Sequence, residues 1–207
     1  IRSCLVGSEM CIRDRAYEVS SVTNTFPEIC GRICPQDRLC EGNCVIEKGF
    51  ESVTIGAVEK HITETAFDNG WVKPIAPKIE KEYSVGIIGA GPAGLAAADL
   101  LRRKGYQVIV YDRYDRVGGL LIYGIPGFKL EKEIVTRRHE LLEQGGVYFQ
   151  LECEIGRDIS FTDLQEKHDA VLIATGVYKA RDIDLVGSEL KGVCLLYTSP
   201  SQRDKTV

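Results

Sequence analysis

The strongest indication of the fold of this chain is the stretch Val85-Gly-Ile-Ile-Gly-Ala-Gly-Pro-Ala-Gly-Leu95. An apolar, β-branched run ends in the pattern G-x-G-x-x-G, formed by Gly89, Gly91 and Gly94. In a β-α-β unit the first glycine allows a tight turn, the second lets the backbone approach a pyrophosphate, and the third lets the helix pack closely on the strand. The stretch therefore predicts an α/β fold with a dinucleotide site.

The residues after this motif complete the predicted unit. A helix is expected over residues 92–104, with Pro92 in the first turn, where a missing N–H costs no hydrogen bond. Its first amides would face the phosphates. The next strand, 107–111, is followed by Asp112, whose carboxylate can accept hydrogen bonds from a ribose diol and would repel a 2′-phosphate. The alternative is a glycine-rich turn in an α/β domain that binds no ligand.

A second glycine-rich stretch follows, Gly118-Gly-Leu-Leu-Ile-Tyr-Gly-Ile-Pro-Gly-Phe-Lys-Leu130. Taken alone, its paired glycines indicate no more than a turn. The stretch closely resembles the FAD-binding half of the glutamate synthase small-subunit family. Relatives of that family include the flavin subunit of NADH-dependent ferredoxin:NADP oxidoreductase and the amino-terminal part of dihydropyrimidine dehydrogenase. The resemblance implies that the paired glycines pass against FAD and that the following segment packs near the isoalloxazine.

The same resemblance implies a set of FAD-binding residues. The predicted strand that ends in Ala174-Thr-Gly176 would be a second close approach to the cofactor. Transferred position by position, the family pattern gives these cofactor-binding residues: Gly89, Gly91, Pro92, Ala93, Gly94, Asp112, Arg113, Gly118, Gly119, Leu120, Gly124, Ile125, Pro126, Lys129, Ile155, Ala174, Thr175 and Gly176. The small subunit of this family supplies electrons to a partner subunit, so the resemblance implies no general acid, base or nucleophile in this chain.

Four cysteines lie within fifteen residues, at Cys30, Cys34, Cys40 and Cys44, in the pattern C-x3-C-x5-C-x3-C. Such a density of thiols is typical of metal binding or redox chemistry. Thiolates suit both zinc and iron–sulfur clusters, so the spacing leaves both open.

The sequence around these cysteines resembles the second half of the double [4Fe-4S] domain in the same family. The resemblance implies that Cys34, Cys40 and Cys44 are cluster ligands and that Cys30 is not. It also implies that Glu59 provides a non-cysteine ligand. The alternative for Glu59 is an ordinary solvated helix carboxylate. The remaining ligands of the two clusters would lie upstream, in a motif that this sequence lacks.

The two ends of the chain do not resemble the family. Residues 9–14 and 194–199 can be encoded by opposite strands of one DNA sequence, which is typical of translated sequencing-adapter DNA. We therefore predict that residues 1–15 and 194–207 are not native.

The predicted organisation divides the rest of the chain. A partial helical [4Fe-4S] domain covers residues 16–72, a Pro- and charge-rich linker covers 73–82, and the first part of a FAD-binding Rossmann-like (ββα) domain covers 83–193. Residues 26–49 are expected to be irregular, and a helix over 53–69 is expected to bury one apolar face, Ile55, Val58, Ile62 and Ala66.

The composition adds only broad limits. A net charge of −4 argues against a nucleic-acid partner, and no apolar run is long enough to span a membrane. Cysteine clusters and a flavin suit the cytoplasm.

The resemblance implies an electron-input flavoprotein. The intact protein would oxidise NAD(P)H through FAD and pass electrons through [4Fe-4S] clusters to the large glutamate synthase subunit or another electron-accepting subunit. Alternatives are the flavin subunit of a related NAD(P)H:ferredoxin oxidoreductase, a thioredoxin-reductase-like flavoenzyme and a zinc-stabilised module without catalysis. Because the family places its pyridine-nucleotide domain after the Ala-Thr-Gly strand, residues 16–193 alone are expected to be inactive.

Overall fold

A computed structural model describes residues 9–46 and 49–177, with side chains from residue 15 onward. The secondary-structure elements in these ranges are, in chain order, α1 (Glu9–Ser21), α2 (Pro27–Ile33), α3 (Ile55–Asp68), β1 (Ser84–Ile88), α4 (Pro92–Arg103), β2 (Gln107–Tyr111), α5 (Leu120–Tyr123), α6 (Lys132–Gln144), β3 (Val147–Gln150), α7 (Phe161–Lys167) and β4 (Ala170–Ile173).

A parallel sheet forms the centre of the Rossmann unit. Within the described ranges it has four strands in the order β3-β2-β1-β4. Alternate residues of each strand face opposite sides of a sheet. Val85 and Ile87 of β1 accordingly join one core with residues of α4 and α6, whereas Ile88 packs in a second cluster with Leu164 of α7. Strands β1 and β2 are therefore covered on both faces, as expected in a parallel sheet, whereas Leu172 and Ile173 of β4 are 40% and 63% exposed.

Helices α1, α2 and α3 form a helical module that shares its core with the Rossmann unit. Phe26 and Ile29 belong to the same buried cluster as the strands β1 and β2. Helices α2 and α3 approach closely at Gly31, where an added Cβ would lie 3.0 Å from the carbonyl oxygen of Gly56. The two units therefore pack as one body around a continuous core.

Most predicted elements are present, with two corrections. Residues 27–33 form helix α2, although residues 26–49 were expected to be irregular; Pro27 occupies the first turn, which suits proline. In α3, Ile55 and Val58 are exposed rather than buried. The helix instead buries Gly56, Thr63 and Ala66, because these small side chains permit the close contact with α2.

The predicted boundaries remain predictions. Helix α1 begins at Glu9 and so crosses the predicted non-native boundary at residue 15. Residues 194–207 lie outside the described residues. The linker over 73–82 contains no helix or strand. None of the described helices combines the length and the hydrophobicity needed to cross a membrane.

Candidate nucleotide and cluster sites

A cleft of 320 Å³ lies where the carboxyl ends of β1, β2 and β4 meet the start of α4. Ten of the predicted cofactor-binding residues line it: Gly89, Gly91, Pro92, Ala93, Asp112, Gly119, Leu120, Ala174, Thr175 and Gly176. The crevice outside the carboxyl ends of parallel strands is the usual ligand position in open α/β sheets. We refer to this space as the nucleotide cleft.

Gly91 leaves open space in the nucleotide cleft. Its backbone angles, φ −78° and ψ −178°, are ordinary extended values that any residue can adopt. A Cβ built on Gly91 would have no described atom within 4 Å beyond its chain neighbours. Neither backbone conformation nor internal packing therefore requires glycine here. A ligand that approaches the backbone does give a reason for it.

The other two glycines of the motif are needed by the fold itself. Gly89 has a φ of +112°, and an added Cβ would lie 2.5 Å from the carbonyl oxygen of Ala174. A Cβ on Gly94 would lie 1.9 Å from the carbonyl oxygen of Gly89. The tight turn and the close helix–strand packing expected of these positions are thus present.

Asp112 is buried at the end of β2 and organises the glycine loop. Its carboxylate accepts hydrogen bonds from the amides of Ala90 at 2.6 Å and Tyr114 at 2.9 Å, one on each oxygen. An ionised carboxylate has about four lone-pair sites, so capacity remains for a ribose hydroxyl. Asp112 therefore first fixes the loop that forms the cleft.

A second cleft of 220 Å³ adjoins the first and shares Gly89, Asp112 and Thr175 with it. The predicted cofactor-binding residues Arg113 and Ile155 lie here. Cys153 also lines this space and is 6% exposed, and burial raises the pKa of its thiol. A free cysteine in such a place behaves as a small buried hydrophobic side chain.

Six predicted cofactor-binding residues line neither cleft: Gly94, Gly118, Gly124, Ile125, Pro126 and Lys129. Gly118 has a φ of +128°, and an added Cβ would lie 2.7 Å from side-chain carbons of both Ile122 and Val135. Its role in this structure is therefore conformational. The nearby Phe128 is 80% exposed, so its ring packs against little of the described chain.

The sequence pattern missed one aromatic residue of the nucleotide cleft, Tyr114, whereas Tyr123 belongs to the segment that is expected to pack near the isoalloxazine. A signal was present, because both tyrosines flank the Gly118-Gly119 pair within a few positions. The pattern alone gave no indication that the two rings would come together.

The predicted cluster ligands do not converge in the part of the chain that the structure describes. Cys34 and Cys40 are exposed and Cys44 is half-buried. No group of three or more Cys, His, Asp or Glu side chains among the described residues is arranged to hold a metal ion. The assignment of Cys34, Cys40 and Cys44 as ligands therefore stays a prediction.

Asn24, for which the sequence predicted no role, connects Glu59 to Cys30 by hydrogen bonds. The Asn24 amide donates to Glu59 Oε1 at 2.7 Å, and the Cys30 thiol donates to Asn24 Oδ1 at 3.5 Å. Burial raises the pKa of Cys30, as do the neighbouring Cys34 and Glu59. Glu59 is thus held in a hydrogen-bond network and is not a freely solvated carboxylate.

Two family models match the chain. Residues 9–71 match a family described as dihydropyrimidine dehydrogenase domain II, 4Fe-4S cluster. Residues 87–131 match a family described as NAD(P)-binding Rossmann-like domain. The first match contains all four candidate cluster ligands, and the second contains the glycine motif and Asp112.

Curated relatives are similar over most of the chain. The small chain of NADPH glutamate synthase from Azospirillum brasilense is 66% identical over 181 residues, 87% of this chain and 38% of the relative. The corresponding Escherichia coli protein is 48% identical over 86% of this chain and 38% of its own length. Glutamate synthase [NADH] of Saccharomyces cerevisiae is 48% identical over 83% of this chain and 8% of its own length. The chain thus spans about two-fifths of the bacterial small chains it matches.

Proposed function

We infer the function of this chain from its family. The chain belongs to the glutamate synthase small-subunit family, with a 4Fe-4S domain followed by a Rossmann-like domain. We propose that the intact protein is an electron-input oxidoreductase that oxidises NAD(P)H and delivers electrons to a partner subunit. FAD, when bound, would supply the exchange of a hydride for single electrons.

The observation that carries the proposal is the open space at Gly91. The nucleotide cleft presents a bare backbone at the start of α4, where helix amides point outward and favour an anion. A pyrophosphate is the ligand group that this combination suits. The described residues therefore fit a dinucleotide.

The chain's own groups would hold the dinucleotide at three places. The turn at Gly89 and the first turn of α4 would bind the pyrophosphate, and Asp112 would accept a ribose hydroxyl. A carboxylate at that position opposes a ribose 2′-phosphate by charge repulsion. This carboxylate favours FAD or NADH over NADPH, and we propose FAD because the stretch from Gly118 to Leu130 resembles the FAD-binding half of the family.

For the helical module we propose Cys34, Cys40, Cys44 and Glu59 as ligands of an iron–sulfur cluster, with Cys30 outside the ligand set. Support comes from the family match over residues 9–71 and from the Asn24–Glu59 hydrogen bond, which orients a carboxylate beside the cysteine segment.

The partner and compartment follow from the same family. The relatives named as small chains imply a large glutamate synthase subunit as partner, and we propose such an electron-accepting subunit here. We propose the cytoplasm as location, because a cluster of metal-binding thiols together with a flavin suits a reducing compartment.

Anaerobic purification followed by metal analysis and nucleotide titration tests the proposal. Iron with acid-labile sulfide, together with FAD that binds more tightly than NADPH, is the expected result. Zinc without sulfide would contradict the cluster. NADPH binding that excludes FAD from the cleft would contradict the flavin assignment.

A further inference from the structure

The nucleotide cleft has an aromatic wall formed by Tyr114 and Tyr123. Their ring centroids are 4.9 Å apart and the rings are tilted by 40°. Both residues line the cleft together with Gly91 and the end of β4. Aromatic pairs at this spacing gain stability beyond their area burial, so the two rings stabilise each other as neighbours.

The Tyr123 hydroxyl is held by two groups. It donates a hydrogen bond to Asp115 Oδ1 and accepts one from the amide of Arg116 at 3.1 Å. Burial and the Asp115 carboxylate raise the pKa of Tyr123 to about 12. The hydroxyl is therefore a neutral donor at physiological pH, as this hydrogen bond requires.

Asp115 itself does not belong to the core of the protein. Its side chain is 65% exposed, and its other described ion contact is with Arg116 at 3.9 Å. A carboxylate in this position contributes little to packing. Its hydrogen bond to Tyr123 is the contact by which it can affect the cleft.

We infer that Asp115 is a positioning residue for the dinucleotide, because it holds Tyr123 against Tyr114 and thereby keeps the aromatic wall of the nucleotide cleft in place. This inference rests on the proposed dinucleotide function of the cleft. Asp115 is not among the described residues that line the cleft, and it acts through its hydrogen bond to Tyr123.

A double-mutant cycle on FAD binding tests the inference. Asp115→Ala removes the acceptor and Tyr123→Phe removes the donor, so each is expected to weaken FAD binding about tenfold, the scale of one hydrogen bond to a charged group. Because both changes break the Tyr123–Asp115 hydrogen bond, the double variant is expected to lose no more affinity than Tyr123→Phe alone, which also removes the hydrogen bond from the Arg116 amide. Asp115→Asn keeps an acceptor oxygen and is expected to restore most of the affinity.

Ligand-free thermal unfolding separates positioning from a structural role. Asp115→Ala is expected to leave the Tm of the ligand-free chain unchanged, like the exposed controls Asp68→Asn and Tyr148→Phe, which are also expected to leave FAD affinity unchanged. A lowered Tm, a multiplicative loss of about a hundredfold in the double variant, or unchanged FAD affinity in both single variants would overturn the inference. If the unsubstituted chain binds no FAD, the proposed function fails instead.

Discussion

The guanidinium of Arg138 and the carboxylate of Glu28 form a bidentate ion pair inside the molecule, with N–O distances of 2.6 and 2.9 Å. Arg138 lies on α6 of the Rossmann unit, and Glu28 lies on α2 of the helical module. Their side chains are 2% and 0% exposed. Each buried charge is therefore compensated chiefly by the other, and the pair fixes the helical module against the Rossmann unit.

Removal of one partner of this pair is expected to destabilise the chain strongly. Arg138→Met leaves the Glu28 carboxylate buried without its counter-ion, which costs about 3–5 kcal/mol. Urea unfolding of the variant measures this loss. Arg157→Met removes the ion pairs of a 69% exposed arginine with Glu154 and Asp158, and we expect it to change the free energy of unfolding by less than about 1 kcal/mol.

The paired replacement makes the prediction sharper. Glu28→Met combined with Arg138→Met removes both charges, so the double variant is expected to be more stable than Arg138→Met alone. If the double variant instead loses as much free energy of unfolding as Glu28→Met and Arg138→Met lose together, the ion pair is not what couples these positions.

The sequence predicted the Rossmann unit well because its local signals are strong. The strand before Gly89, the helix after Gly91 and the acid at Asp112 all lie within one β-α-β pattern, and the structure has each of them. Local patterns could not predict the Arg138–Glu28 pair, since its residues are 110 positions apart. Charged residues on a helix are also ordinarily exposed at the surface of the protein. Tyr114 and its contact with Tyr123 were missed for a similar reason, because side-chain pairing depends on the loop conformation.

The buried histidine His168 is expected to make stability depend on pH. Its Nε2 lies 2.9 Å from Tyr111 Oη and its Nδ1 lies 3.1 Å from Ser84 Oγ. Burial lowers the pKa of His168, and the neighbouring Lys167 lowers it further. The unfolded chain, with an ordinary histidine pKa of about 6.5, therefore takes up the proton first. The contribution of this histidine is present above about pH 6.5 and is lost as the pH falls below it.

Urea unfolding at pH 8.0 and at pH 5.5 checks this expectation. The unsubstituted chain is expected to be less stable at the lower pH, and His168→Gln is expected to lose part of that difference. His61→Gln alters an exposed residue on α3 and serves as the control. An equal pH dependence in His168→Gln and in the unsubstituted chain would show that His168 contributes nothing to it.

The cysteines are expected to fall into two classes. Cys34→Ser, Cys40→Ser and Cys44→Ser should each lower the iron content of anaerobically purified protein, because a thiolate ligand is removed. Cys30→Ser should retain iron, since we place Cys30 outside the ligand set. Iron and acid-labile sulfide counts measure the difference. A loss in Cys30→Ser equal to the other three would place Cys30 among the ligands.

Gly94→Ala is expected to damage the fold rather than only the ligand site. Its Cβ would lie 1.9 Å from the carbonyl oxygen of Gly89, so α4 must move away from β1. We expect a loss of about 1–3 kcal/mol, the scale of overpacking in a close contact. Thermal unfolding of the ligand-free chain measures this loss, and an unchanged Tm would contradict the close approach at Gly94.

FAD titration of Gly91→Val is the sharpest test of the proposed dinucleotide site. The open space around the Gly91 Cβ position means that valine should leave the ligand-free chain folded, while its side chain occupies the place of the pyrophosphate. Gly49→Val, at a second position with no described atom within 4 Å of the added Cβ, is the matched control. We predict an unchanged Tm and a loss of FAD affinity of at least about tenfold for Gly91→Val, with normal affinity for Gly49→Val. Unchanged FAD affinity in a folded Gly91→Val chain would contradict the account.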